Sequence, residues 1–195
     1  MRPFAITSIA LAAVAAVPLA FATVALDATV DTYEVRGTTF NAIMRSLNEN
    51  APFIERTQRR HYGVTRISFT QEATFQETRA GCELLSNDID LRIEMMLPEW
   101  VDRDDAPEAV AVKWDRLSES IARHEEQHVA IAQEYLRRMR NELDRAMTAP
   151  SCPELRVRIR DRMEALVEAH RAAQEAFDER VSQENASGST SRRQG

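Results

Sequence analysis

Trp114-Asp115-Arg116-Leu117-Ser118-Glu119-Ser120-Ile121-Ala122-Arg123-His124-Glu125-Glu126-Gln127-His128 can be read at two levels. As a pattern, its apolar positions continue through Ile131, Tyr135, Met139 and Leu143, which spells one long helix from about Asp104 to Met147. Asp104, Asp105 and Pro107 make a suitable start, with acids at the positive end of the dipole. As chemistry, its last five residues form His-Glu-x-x-His. Two imidazoles four residues apart share a helix face, roughly 6 Å apart along the axis and about 40° apart around it. Both lie on the apolar stripe, so the rings are expected to point inward. That spacing suits two ligands of one zinc ion, expected at one per chain, with Glu125 as general base on water. Two core histidines bonded to their neighbours are the alternative reading.

A catalytic zinc site needs a third protein ligand. A metzincin-like site would place Gly at 131 and His at 134, where this chain has Ile131 and Glu134. No glutamate stands at a thermolysin-like spacing either. Downstream, Ala149-Pro150-Ser151-Cys152-Pro153 interrupts the helical pattern. A second long helix then carries Leu155, Ile159, Met163, Leu166, His170, Ala173 and Phe177 on its inner face. If the two helices fold back near Pro150, position 126 faces about 174. His170 then comes within a turn of His128, and Asp178 lies near the level of 122. His170 is a candidate ligand and equally a core histidine. Tyr135 is either an oxyanion donor or a packing residue.

Upstream, Ile89 to Leu97 alternates apolar and mostly charged side chains, the period of a half-buried strand, and Pro98 is expected to end it. Gly63 to Thr78 reads as strand, with a turn expected at Gln71-Glu72. Tyr33 to Val35 reads as another strand, ended by Gly37. Phe40, Ile43, Met44 and Leu47 form a short helix that Thr38 or Thr39 can cap and that stops near Asn50 and Pro52. His61, in the loop before the sheet, could orient a substrate. Strands followed by helices give an α+β class: a small, mostly antiparallel sheet, then two long antiparallel helices, the first carrying the motif.

Residues 1–22 read as a secretory signal: Arg2, an apolar run from Phe4 to Val17, and Ala20-Phe21-Ala22 as a cleavage site. An uncleaved anchor is the alternative. The expected organisation is a signal at 1–22, one zincin-like domain at 23–183 and a disordered Ser-, Gly- and Arg-rich tail at 184–195. The product would be exported, to the periplasm or the medium, touching the membrane only through its signal. Cys82 and Cys152 are the two cysteines; in an oxidising compartment one disulfide is expected, with two buried thiols as the alternative. A net charge of −6 leaves no basic footprint for nucleic acid.

Taken together, these features resemble a bacterial family catalogued as domain of unknown function nine-twenty-two and described as predicted secreted zinc-dependent proteases. The resemblance rests on Tyr33-Glu34-Val35 with Gly37, the Gly81-Cys82 pair, the strand ending Leu97-Pro98-Glu99-Trp100, and the Trp114 helix leading into His124-Glu125 and His128. Cys152 and Phe177-Asp178 complete it. It implies an exported α+β protein with one disulfide and a zinc peptidase site. In the family a Thr-x-His-Gly segment follows, and its His is the natural third ligand. Here Gln183 occupies that place, so Glu184 next door or Asp178 would have to substitute. The expected function is therefore an exported zinc-dependent hydrolase acting on peptides or proteins of the cell envelope. The competing expectations are a non-catalytic envelope scaffold derived from a peptidase that has lost its third ligand, and a metal-binding module without activity.

Overall fold

Two long strands, β4 (Val64–Thr78) and β5 (Gly81–Trp100), form a hairpin that carries the sheet. They are joined across Arg79-Ala80, with Thr78 paired to Gly81. The computed structural model describes residues 27–143 and 147–191; the signal expected at 1–22 lies outside them. Strand β1 (Asp27–Val35) runs parallel to β5 on its other side, so the order is β1-β5-β4. Between β1 and β4 come α1 (Phe40–Asn50) and the small hairpin of β2 (Phe53–Ile54) and β3 (Arg59–Arg60). A 3-10 turn at Arg103–Asp105 leads into α2 (Glu108–Leu143); β6 (Thr148–Ala149) pairs with the start of β5, and α3 (Cys152–Ser191) follows. Among the described residues no helix is long and apolar enough to cross a membrane.

The class is α+β as the sequence reads, with a mixed sheet and two long helices. Four boundaries differ from the sequence expectation. No turn forms at Gln71-Glu72: β4 continues through them, paired to Ile89 and Asp88. A polar pair in an edge strand costs little, because one of its faces is wet anyway. Pro98 does not end β5, which runs to Trp100. Beyond Met96 β5 has no β4 partner, so the missing N–H of Pro98 leaves no ladder bond unmade on that side. Helix α2 is described to Leu143, and Met147 is not helical; its carbonyl accepts from the Leu84 N–H next to the β5–β6 pairing. At the other end, α3 passes Glu184, where the sequence reads as a tail.

The alternation of β5 decides which face is covered. Ile89, Leu91 and Ile93 are almost fully buried, against Leu136 and Met139 of α2 and Leu155 and Ile159 of α3. The two helices thus lie side by side on one face of the sheet, which is what brings their inner stripes together. A second cluster gathers Val35, Ile43, Leu47, Trp100 and Trp114, fixing α1 and the start of α2 to the sheet's end. Thr39 caps α1, its hydroxyl accepting from the Ala42 N–H.

Cys82 and Cys152 are joined by a disulfide that ties the start of β5 to the start of α3. Gly81 lies in the left-handed region with φ of 136°, and a Cβ there would run into the Ala149 carbonyl of β6. The bridge closes a loop across a separation of 70 residues. Replacing both cysteines with serine is expected to cost about 4 kcal/mol by loop-closure entropy, seen as a lower denaturation midpoint with an unfolded baseline of larger dimensions.

Candidate functional site

Because the two helices run antiparallel with the turn between them, residues on α2 and α3 meet in descending and ascending order. His128 lies against Gln174, and His124 and His128 both reach Asp178. The levels estimated from the sequence are thus displaced by about two residues. Positions 124 and 128 form one i,i+4 ridge and 170, 174 and 178 form the facing one.

Three donor atoms converge there. Asp178 Oδ1 is 3.2 Å from His124 Nε2 and 3.0 Å from His128 Nε2, and the two Nε2 atoms are 3.1 Å apart. Among the described residues this is the group of His, Cys, Asp and Glu side chains arranged to hold one metal ion. A tetrahedral zinc with bonds of about 2.0–2.1 Å holds its ligands about 3.3–3.4 Å apart. The triangle here is slightly tighter, and two neutral imidazoles with one carboxylate are a donor set zinc accepts. The residues present are thus of a type and spacing that would fit the ion.

The surroundings orient these donors. Gln174 Oε1 is 2.6 Å from His128 Nδ1 and can only accept, so Nδ1 carries a proton and Nε2 is the nitrogen turned towards His124 and Asp178. The Gln174 amide nitrogen donates to the His128 carbonyl at 3.0 Å and to His170 Nε2 at 2.8 Å. Phe177 packs against both imidazoles, with ring centroids 4.9 and 5.0 Å away. His170 is placed outside the triangle. It is buried, edge-on to Phe69 and Tyr135, and its pKa is lowered by burial and by the nearby His128. Tyr135 accordingly serves packing.

Glu125 sits about 100° around α2 from His124, pointing at the start of β4. It is 4 % exposed, and the Thr65 hydroxyl donates to its Oε2 at 2.7 Å. Gly63 permits this: a Cβ there would stand 2.5 Å from Glu125 Oε1 and 2.7 Å from its Cγ. The backbone just before β4 therefore lies directly on the glutamate.

The site forms one wall of a cleft of about 430 Å³. Gly63 and the β4 residues Val64 to Ile67 bound it on one side, His170 to Asp178 from α3 on another, and Arg56, Thr57 and His61 bound it from the β2–β3 hairpin and just after it. Arg56 is paired with Glu175 across it at 2.9 Å. His61 is held by Thr57 through Nε2 at 2.8 Å and faces this cleft. A second hollow of about 420 Å³ shares His61, Gly63, His124 and Glu125 and extends to Phe177 and Val181.

Residues 30–185 of the chain match the family described as bacterial protein of unknown function, DUF922. The chain belongs to this family. No curated protein and no solved structure matches it. Gln183, the place where the sequence resemblance puts a third ligand, lies on the exposed face of α3 and donates to Glu179 at 3.3 Å; Glu184 is exposed as well. Asp178, one of the named substitutes, is the residue that meets the two histidines. Gln174, Thr65 and Gly63 escaped the sequence reading. Gln174 had a signal, since it stands four residues from both His170 and Asp178; the other two had none.

The metal-free charge balance has a direction. Burial acts to lower His128, but the hydrogen bonds it donates to Asp178 and Gln174 outweigh it and raise its pKa. Burial acts to raise Asp178, but its bonds to His124 and His128 prevail and hold it well below the usual carboxylate range. A raised histidine stabilises the fold fully below its ordinary 6.5 and loses that contribution as pH rises through the folded value. A depressed aspartate stabilises above its ordinary 3.8 and loses that contribution on acidification through its folded value. Metal-free protein is thus expected to lose the contribution of this pair as pH rises above 6.5. Zinc needs unprotonated Nε2, so the rise in Tm on adding zinc should grow over the same range. Melting curves with zinc and with chelator across pH check both signs.

Proposed function

We propose that this chain is an exported zinc-dependent hydrolase of peptide bonds in the bacterial cell envelope. The reading is supported above all by one observation: His124, His128 and Asp178 converge at the wall of an open cleft, beside a buried glutamate held by Thr65. His124 and His128 would hold zinc through Nε2 and Asp178 through Oδ1. When bound there, zinc supplies a Lewis acid that polarises a carbonyl and acidifies water.

The chain's own groups do the rest. Gln174 fixes the His128 tautomer, and Phe177 fixes both ring planes. Thr65 occupies Glu125 Oε2, which leaves Oε1 to take a proton from the attacking water and return it to the leaving amine. Gly63 lies directly against Glu125, and the β2–β3 hairpin lines the cleft beside it.

Metal analysis of purified chain from a zinc-replete preparation tests the reading; about one zinc per chain is expected, and none after joint replacement of His124 and His128 by alanine. Metal-free wild-type protein would sink it. Bound zinc without hydrolysis of any unfolded polypeptide would point instead to a binding module.

A further inference from the structure

Gln174 holds the His128 proton on Nδ1 only while its amide faces one way, and an amide has two ways to face. A half-turn about its terminal bond exchanges Oε1 and Nε2 at almost no steric cost. Turned over, the NH2 would meet His128 Nδ1, which would then have to accept. The proton of the uncharged ring would move to Nε2, the atom that must be unprotonated to bind zinc. What stands at the far end of the amide therefore decides what His128 presents to Asp178 and His124.

Two groups stand there. The Gln174 amide nitrogen is 3.0 Å from the His128 carbonyl oxygen and 2.8 Å from His170 Nε2. The carbonyl can only accept. His170 Nε2 meets an NH2 that can only donate, so it accepts as well, and its ring carries the proton on Nδ1. Burial, with His128 nearby, lowers the His170 pKa, which favours that uncharged ring. Both hydrogens of the amide are thus used, and the reversed amide would turn Oε1 towards two acceptors. The His170 ring is itself fixed from three elements: it belongs to α3, is 8 % exposed, and stands edge-on to Phe69 of β4 and Tyr135 of α2, with centroids 5.0 and 5.5 Å away. It lies about 12 Å from Asp178 along the helix, so whatever it contributes reaches the centre through Gln174.

We propose that His170 is a positioning residue for His128: its Nε2 locks the Gln174 amide, and the locked amide keeps the His128 proton on Nδ1, leaving Nε2 free on the side of His124 and Asp178. This rests on the zinc reading of the site but not on the peptidase reading. A hydrophobic ring of similar size cannot replace His170, because its contribution is one lone pair in one place.

Zinc titrations of the whole chain and of Gln174→Leu, His170→Phe and the double variant test the proposal. Gln174→Leu removes the direct partner of His128 and is expected to weaken zinc binding by about 10–100-fold. His170→Phe keeps a planar ring between Phe69 and Tyr135 and should weaken it by about tenfold, the lower end of that range. Because His170 acts through Gln174, the double variant should bind no more weakly than Gln174→Leu alone. His170→Gln, whose side-chain oxygen can stand near the place of Nε2, should recover most of the loss. Unchanged binding by His170→Phe, or a further loss in the double variant, overturns the proposal and leaves His170 a packing residue. NMR of the ring nitrogens in the unaltered, metal-free chain decides the matter even if the variants fail to fold. At a pH where both rings are uncharged, His128 and His170 are each expected to carry the proton on Nδ1; a proton on Nε2 of either overturns the proposal. Both rings in these tautomers, in an unaltered chain that binds no zinc, keeps the positioning of His128 and rejects the zinc reading.

Discussion

Glu125→Gln is expected to retain about one zinc per chain and to lower turnover of a peptide substrate by roughly 10²–10⁴-fold, the range contributed by a positioned general base. The substitution is nearly isosteric at a place where shape is tightly constrained. The Gln amide fits against Gly63 as the carboxylate does, and its oxygen can still accept from Thr65 at the 2.7 Å seen for Glu125. The three converging donors belong to His124, His128 and Asp178 and are untouched. What disappears is an oxygen able to hold a proton next to the centre. Retained zinc with unchanged turnover would remove Glu125 from the chemistry. Loss of zinc together with turnover would mean that Glu125 holds the site together instead. Parallel metal analysis and peptide cleavage separate these outcomes.

The helical half of the fold was legible because two periodic stripes and the break at Pro150 fix its geometry. Antiparallel helices meet at a constant sum of residue numbers, so Asp178 could be placed beside the motif before any coordinates. The strands were harder. An edge strand tolerates polar pairs such as Gln71-Glu72, and a strand extending past its neighbour tolerates Pro98, so local rules put boundaries where tertiary pairing does not. Within the site, the residues that could be read are those whose chemistry is rare: imidazoles and carboxylates at helical spacing. Thr65 and Gly63 act through position alone. Their contact with Glu125 spans about 60 residues of sequence, and no spacing rule encodes it. Gln174 is intermediate. An amide on an inner stripe between His170 and Asp178 needs partners there, and His128 and His170 are those partners.

Asp178→Ala should lower zinc affinity by more than the roughly 10–100-fold that loss of an outer hydrogen-bond partner causes, since it removes a direct donor. Two imidazoles would remain, 3.1 Å apart, without the carboxylate that closes the triangle. The metal-free fold should change as well. The bond to Asp178 helps to hold the His128 pKa up against burial, so the variant's His128 should titrate lower than in the parent, measurable by NMR of the metal-free protein. Gln183→His provides the decisive comparison, because it restores the residue type the family resemblance calls for. Gln183 is five residues beyond Asp178 on one continuous helix, roughly 140° around it and about 7.5 Å further along. Its side chain lies on the exposed face beside Glu179. A histidine there points away from His124 and His128, so adding Gln183→His to Asp178→Ala should recover no zinc affinity. Recovery would require α3 to turn or unwind near Phe177, and that would displace the ring packed on both imidazoles. Zinc titrations of the two single variants and the double variant distinguish a ligand set by this helix register from one that the chain rebuilds around the metal.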